Sequence, residues 1–150
     1  MKTTSQYNTV KGLNKALRSL PKEATVQLRE ASRDIATFVA DEARDRAVRV
    51  GGVAVYVAPT IRSTRDRVPV VRMGGTNKLP SNTRNRLGGR QTVGDVAFGA
   101  EFGGRGRPTT QQFQPHRGTQ GYFLWPTIRA RSDDIQERYS EALLDALGRI

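Results

Sequence analysis

A single histidine, His116, stands between Pro115 and Arg117 in a stretch without periodicity. Imidazole is the side chain that titrates nearest neutral pH, so a proton-transfer role is the first chemistry to consider. Nothing in the spacing fixes a partner for it, and a surface histidine in a loop is the plainer reading. Asp133–Asp134 is an adjacent carboxylate pair, and two carboxylates at one site can divide acid and base roles. Here the pair lies in the first turn of a helical pattern, where the helix dipole favours acids without any catalysis. Gly94-x-x-x-x-Gly99 has the glycine spacing of a phosphate loop, but the lysine is missing. Gly99-Ala-Glu-Phe-Gly103-Gly104 has no helical pattern after it, so it does not match a dinucleotide turn. No G-x-S-x-G occurs. Cysteine is absent, which removes disulfides, thiolate chemistry and sulfur-bound zinc. None of the 14 carboxylates is spaced as a calcium loop. The expectation is a chain that is not an enzyme, with no catalytic residue, no cofactor and no metal. A pocket holding His116 against Glu101 or Asp95 would reverse it.

Charge is the stronger signal. Lys plus Arg number 25 against 14 Asp plus Glu, a net charge of +11. Residues 49–131 hold 14 of the basic side chains and only three acidic ones, Asp66, Asp95 and Glu101. Residues 132–150 are net acidic, with five acids against two bases. The basic, glycine-rich middle fits contact with nucleic acid or an acidic protein. A solvated basic surface from a GC-rich genome fits equally, since Arg outnumbers Lys 20 to 5. No zinc finger is legible, and the aromatics do not interleave with the arginines as a base-stacking surface would require.

The elements that must carry these residues can be read coarsely. At 150 residues the chain fits one domain, 1–150. Val10, Leu13, Leu17 and Leu20 predict a short amphipathic helix. Pro21 then opens a long one, with Ala24, Leu28, Ala31, Ile35, Phe38, Val39 and Ala43 on its apolar face and Gly51–Gly52 ending it. Val53–Ala58, Arg67–Met73 and Val93–Phe102 read as strands, with Thr60–Asp66 as a turn. Residues 74–92 and 103–121 read as extended loops, the first a mobile arm that orders against a partner. Pro126 marks a helix start, and Ile128, Ile135, Tyr139, Ala142, Leu143, Ala146 and Leu147 continue a helical stripe. The expected class is α+β: a long N-terminal helix and a C-terminal helix packed on a small, mainly antiparallel sheet, with long basic loops. Phe38, Val39, Trp125 and Leu143 are the expected core. No apolar run approaches the ~20 residues of a membrane helix, and Met1–Val10 lacks the order of a signal peptide, so a cytosolic origin is expected.

The C-terminal half carries a resemblance. Val96-Ala-Phe-Gly-Ala-Glu-Phe-Gly103-Gly104, the Gln114-Pro-His-Arg-Gly118 loop and Gly121-Tyr-Phe-Leu-Trp-Pro-Thr-Ile-Arg129 before a terminal amphipathic helix resemble the neck and tail-completion family of long-tailed bacteriophages. The family is similar in role to the minor tail protein Z of lambda. Its members show an "FG" strand end with a nearby acid, then an aromatic "F-L-x-P-A" helix start; Thr127 stands here in place of the alanine. The Leu20-Pro-Lys-Glu23 break between the first two helices also looks like the family.

The resemblance implies a non-enzymatic structural virion protein at the head–tail junction, present in the host cytoplasm during assembly. It implies a homo-oligomeric ring, six subunits in the family's manner, between connector or stopper proteins and the tail terminator or tail tube. Its partners would be further copies of itself and neighbouring neck and tail proteins, with transient non-specific contact to phage DNA in the channel and no membrane. Arg84, Arg86, Arg90, Arg105, Arg107 and Arg117 are the candidate interface donors, and Phe123, Leu124 and Trp125 the candidate core or intersubunit packing residues. The alternative is a basic DNA-binding or DNA-packaging accessory protein.

Overall fold

The computed structural model describes residues 10–80, 84, 87–104 and 112–148. Arg86, Arg105 and Arg107 lie outside the described residues. The order is α1 (Val10–Arg18), α2 (Lys22–Val50), α3 (Ala54–Val57), a 3-10 turn (Ala58–Thr60), β1 (Arg62–Thr64), β2 (Val70–Arg72), α4 (Val93–Phe102), α5 (Leu124–Ala130) and α6 (Ser132–Gly148). The fold is α+β, with the expected long helix and C-terminal helix. Its sheet is one antiparallel pair, registered Arg62–Arg72, Ser63–Val71 and Thr64–Val70.

Helix α2 is the axis. Its 29 residues make a rod of roughly 43 Å. Two apolar clusters sit along it. Near its start, Ala24 and Leu28 pack with Leu17 and Leu20 and with Ala146 of α6. Near its end, Ala40, Ala43 and Ala47 meet Ala54, Val57, Ile61, Leu79, Val93, Val96, Ala97, Ala100 and Phe123. The alanines on α2, α3 and α4 keep side chains small at the helix crossings, which sets how closely the axes approach. Polar ties hold the sheet to α2: Thr37 and Ser63 share a hydroxyl hydrogen bond of 2.7 Å, Ser32 Oγ donates to Arg67 O at 3.0 Å, and Arg44 Nε donates to Ile61 O at 2.8 Å.

Two expected strands are helices. Val53–Ala58 forms α3 and the 3-10 turn, with Ala54, Val57 and Ala58 buried at helical spacing and Val55 and Tyr56 outside. A short apolar run does not reveal its own period, and packing against α2 overrides the β preference of its valines. Val93–Phe102 is α4. It starts in a reciprocal capping box: Thr92 Oγ1 accepts from Asp95 N at 3.2 Å, and Asp95 Oδ2 accepts from Thr92 N at 2.8 Å. Both of its glycines allow close packing. A Cβ on Gly94 would lie 2.9 Å from Gly75 O, and one on Gly99 would lie 2.6 Å from the Phe113 ring. Between the two helices, the expected turn at 60–66 contains β1.

Helix α5 begins at Leu124, two residues before Pro126. Trp125 is 44% exposed, where core burial was expected, and Phe123 is the aromatic that enters the core. Val39 is buried as expected; Phe38 and Leu143 are half-buried. The Phe38 ring carries the guanidinium groups of Arg131 at 5.5 Å and Arg138 at 4.7 Å.

Glu42 joins α2 to the α5–α6 corner. Its Oε2 accepts from Arg131 Nε at 2.7 Å and its Oε1 from Arg46 at 3.3 Å. The hydrogen bond from Arg131 holds the Glu42 carboxyl below its ordinary range, against a smaller opposing effect of burial. A carboxyl lowered in the folded state adds stability above its unfolded value, and that stability is lost as pH falls through the folded value. The melting temperature should therefore fall more steeply between about pH 5 and about pH 3 in the natural protein than in Glu42→Gln. Parallel melting curves across that window would remove the pair from the stability of the fold.

Candidate interaction surface and its support

The candidate residues occupy two regions, a surface arm and an aromatic helix start. The arm is the segment expected to lack structure. It folds as two antiparallel limbs, with bridges at Lys78–Thr92 and Arg84–Arg90. Leu79 N donates to Gln91 O at 3.0 Å and Val93 N to Asn77 O at 2.8 Å. Of the described residues from 75 to 90, Leu79 alone is buried, and it plugs into the cluster at the end of α2. The rest are exposed, and Leu87 near the tip is 95% exposed.

The arginines of the arm lean on its own backbone. Arg90 donates to Leu79 O at 2.7 Å, bracing one limb against the other. Arg84 donates to Gly88 O at 3.5 Å, and Lys78 Nζ to Arg90 O at 3.4 Å. A carbonyl takes up a hydrogen bond without cancelling the cation's charge, so the arm remains a positive surface. Arg117 lies elsewhere, exposed, with its guanidinium 4.4 Å above the Tyr122 ring. His116 is exposed, and its Nδ1 accepts from Gly118 N at 3.1 Å. That contact closes a local turn, and among the described residues no carboxylate lies within ion-pair distance of the imidazole. Among the described residues no group of three or more His, Asp or Glu could hold a metal ion.

The aromatic helix start depends on a residue that sequence reasoning did not assign to it. Glu101 of α4 is fully buried. Its Oε2 accepts from Phe123 N at 3.2 Å and Leu124 N at 2.9 Å, and its Oε1 from Trp125 N at 2.8 Å. The first amides of a helix have no partner inside the helix. Glu101 supplies one from 22 residues away, so α5 starts where the carboxylate stands. An acid inside an otherwise apolar helical stripe (Val93, Val96, Ala97, Ala100, Glu101) was the available signal.

The chain matches no family model, no curated protein and no solved structure. The geometry alone therefore bears on what the surface does. Glu101 shows how two separate motifs, Val96–Gly104 and Gly121–Arg129, become one unit. Phe123 points into the core, Leu124 is half-buried, and Trp125 faces outward. The expected aromatic packing thus divides, with Phe123 in the core and Trp125 exposed on the surface. Phe98 on the outer side of α4 is 72% exposed, and its ring lies tilted against that of Phe102, with centroids 4.6 Å apart. Among the described residues no helix is long and apolar enough to cross a membrane.

Proposed function

We propose that this chain is a non-enzymatic structural subunit of a bacteriophage neck, assembling through its exposed arm into a ring at the head–tail junction. The observation that carries the reading is the arm at 77–93: of its described residues from 77 to 90 only Leu79 is buried, and Leu87, Lys78, Arg84 and Arg90 are exposed. An arm of this kind gains most when a second chain covers it. The motif resemblance supports the same role, because its two parts, around Glu101 and Phe123, interlock as a structural unit. The ring would have six subunits, bind adjacent neck and tail proteins, and assemble in the host cytoplasm before entering the virion.

Imaging is the test. A tagged chain should appear as a density at the head–tail junction of intact particles. Reversal of charge at Arg84, Arg86 and Arg90 should leave the circular-dichroism spectrum unchanged and exclude the chain from particles. A tagged chain absent from particles, or a charge-reversed chain that enters them normally, overturns the reading. The net charge of +11 favours a second reading, a DNA-binding accessory protein. That reading requires the free protein to bind duplex DNA with log affinity falling steeply against log salt.

A further inference from the structure

We propose that the arm of one copy docks on the outer face of α6 in the next copy, through an exposed leucine on each side framed by opposite charges. This rests on the ring reading above and names the contact that would close the ring.

The outer face of α6 is a stripe at three- and four-residue spacing: Asp133, Glu137, Glu141 and Leu144. All four are exposed, and Leu144 at 69% is far more open than its neighbours Leu143 and Leu147. Among the described residues no cation lies within ion-pair distance of Asp133, Glu137 or Glu141. Asp134, on the adjacent flank, is already turned towards Arg131 at 3.7 Å. The helix therefore presents acids with one leucine among them.

The arm presents the complement. Lys78, Arg84 and Arg90 are exposed on its limbs, and Leu87, between the bridged residues Arg84 and Arg90, is 95% exposed. Cations facing acids fix the register of an encounter and exclude like-charged surfaces. A small apolar contact ringed by charged groups has the anatomy of an interface centre sheltered from water. DNA would satisfy the cations but offers Leu87 nothing comparable, and the acids of α6 would repel it. A second copy of this chain satisfies both chemistries at once.

The geometry of such a contact is head-to-tail, because arm and α6 are different surfaces of one molecule. Contacts of that type repeat from copy to copy and close into a ring when the rotation allows.

The chain contains no cysteine, which makes the contact directly readable. Two single variants, Leu87→Cys and Leu144→Cys, alter exposed side chains and should fold as the parent does. Mixed in equal amounts and mildly oxidised, they should yield a disulfide-linked Leu87→Cys/Leu144→Cys dimer well in excess of either homodimer. Adding Arg84→Glu to the first should reduce that mixed dimer about tenfold. Adding Glu137→Arg and Glu141→Arg to the second should restore it. Homodimers in equal or greater yield, no cross-link, or loss without restoration would each overturn the docking. So would an Arg84→Glu variant that cross-links normally but no longer binds duplex DNA, which would assign the arm to nucleic acid. Sedimentation of the unmodified chain separates the two proposals. Rings without the mixed cross-link would leave the neck reading standing and remove only this contact; a monomer without it would remove both.

Discussion

Glu101→Ala is expected to lower the stability of the fold by about 3–5 kcal/mol, a fall in melting temperature of roughly 10 °C. The cause is twofold. The amides of Phe123, Leu124 and Trp125 lose the carboxylate they share. Each buried donor left without a partner costs on the order of 1–3 kcal/mol, less where water can reach it. The truncation also leaves a void in a fully buried position. Glu101→Gln separates these effects, because it keeps the volume and one acceptor but turns an amide NH2 towards an N–H. It should fall between the natural protein and Glu101→Ala. Thermal unfolding followed by far-ultraviolet circular dichroism gives the ordering. Trp125 fluorescence reports independently, since its backbone amide is one of the three that are released. A loss under about 1 kcal/mol would show that α5 is positioned by packing alone.

The long helix and the terminal helix were legible because their apolar residues recur over many turns. Ala24, Leu28, Ile35 and Val39 are buried in α2 at that spacing. Glycine and proline marked its ends correctly, at Pro21 and Gly51. Helices α3 and α4 were not legible because each hides its period. In α3, four residues give barely one turn. In α4, Gly94 and Gly99 look like strand irregularities until Gly75 and the Phe113 ring are placed beside them. The Thr92–Asp95 box was readable and was the better guide. The arm shows the converse failure. Its residues have no periodicity, yet backbone bonds from Leu79 to Gln91 and from Val93 to Asn77 give it a defined course. Of the candidate site, the basic character of the arm could be read in advance. The division of labour between Phe123 and Trp125 could not, because it is set by Glu101, a residue distant in sequence.

The same carboxylate makes a glycine indispensable. Gly121 has φ of +74°, and a Cβ there would fall on Glu101 Oε1 and 3.1 Å from Trp125 Cβ. Gly121→Ala therefore carries two costs. The left-handed backbone costs an L-residue roughly 1–2 kcal/mol. The methyl also pushes the carboxylate off the amides of α5, which should raise the total to about 4 kcal/mol, close to the loss from Glu101→Ala itself. The two substitutions should not add. Once Glu101 is alanine the methyl meets no carboxylate, and Gly121→Ala should then cost only its backbone strain and its close approach to Trp125 Cβ. The double variant should be more stable than the sum of the single losses by about 2–3 kcal/mol, measured by denaturant unfolding of all four proteins. Additive losses would mean that Gly121 acts through backbone strain and its contact with Trp125 rather than through the acid, and that the turn before α5 is independent of Glu101. Coupling of the expected size would place Gly121, Glu101 and the first turn of α5 in one unit. Since Trp125 sits on the outer side of that turn, the unit then fixes where this exposed aromatic side chain stands on the surface.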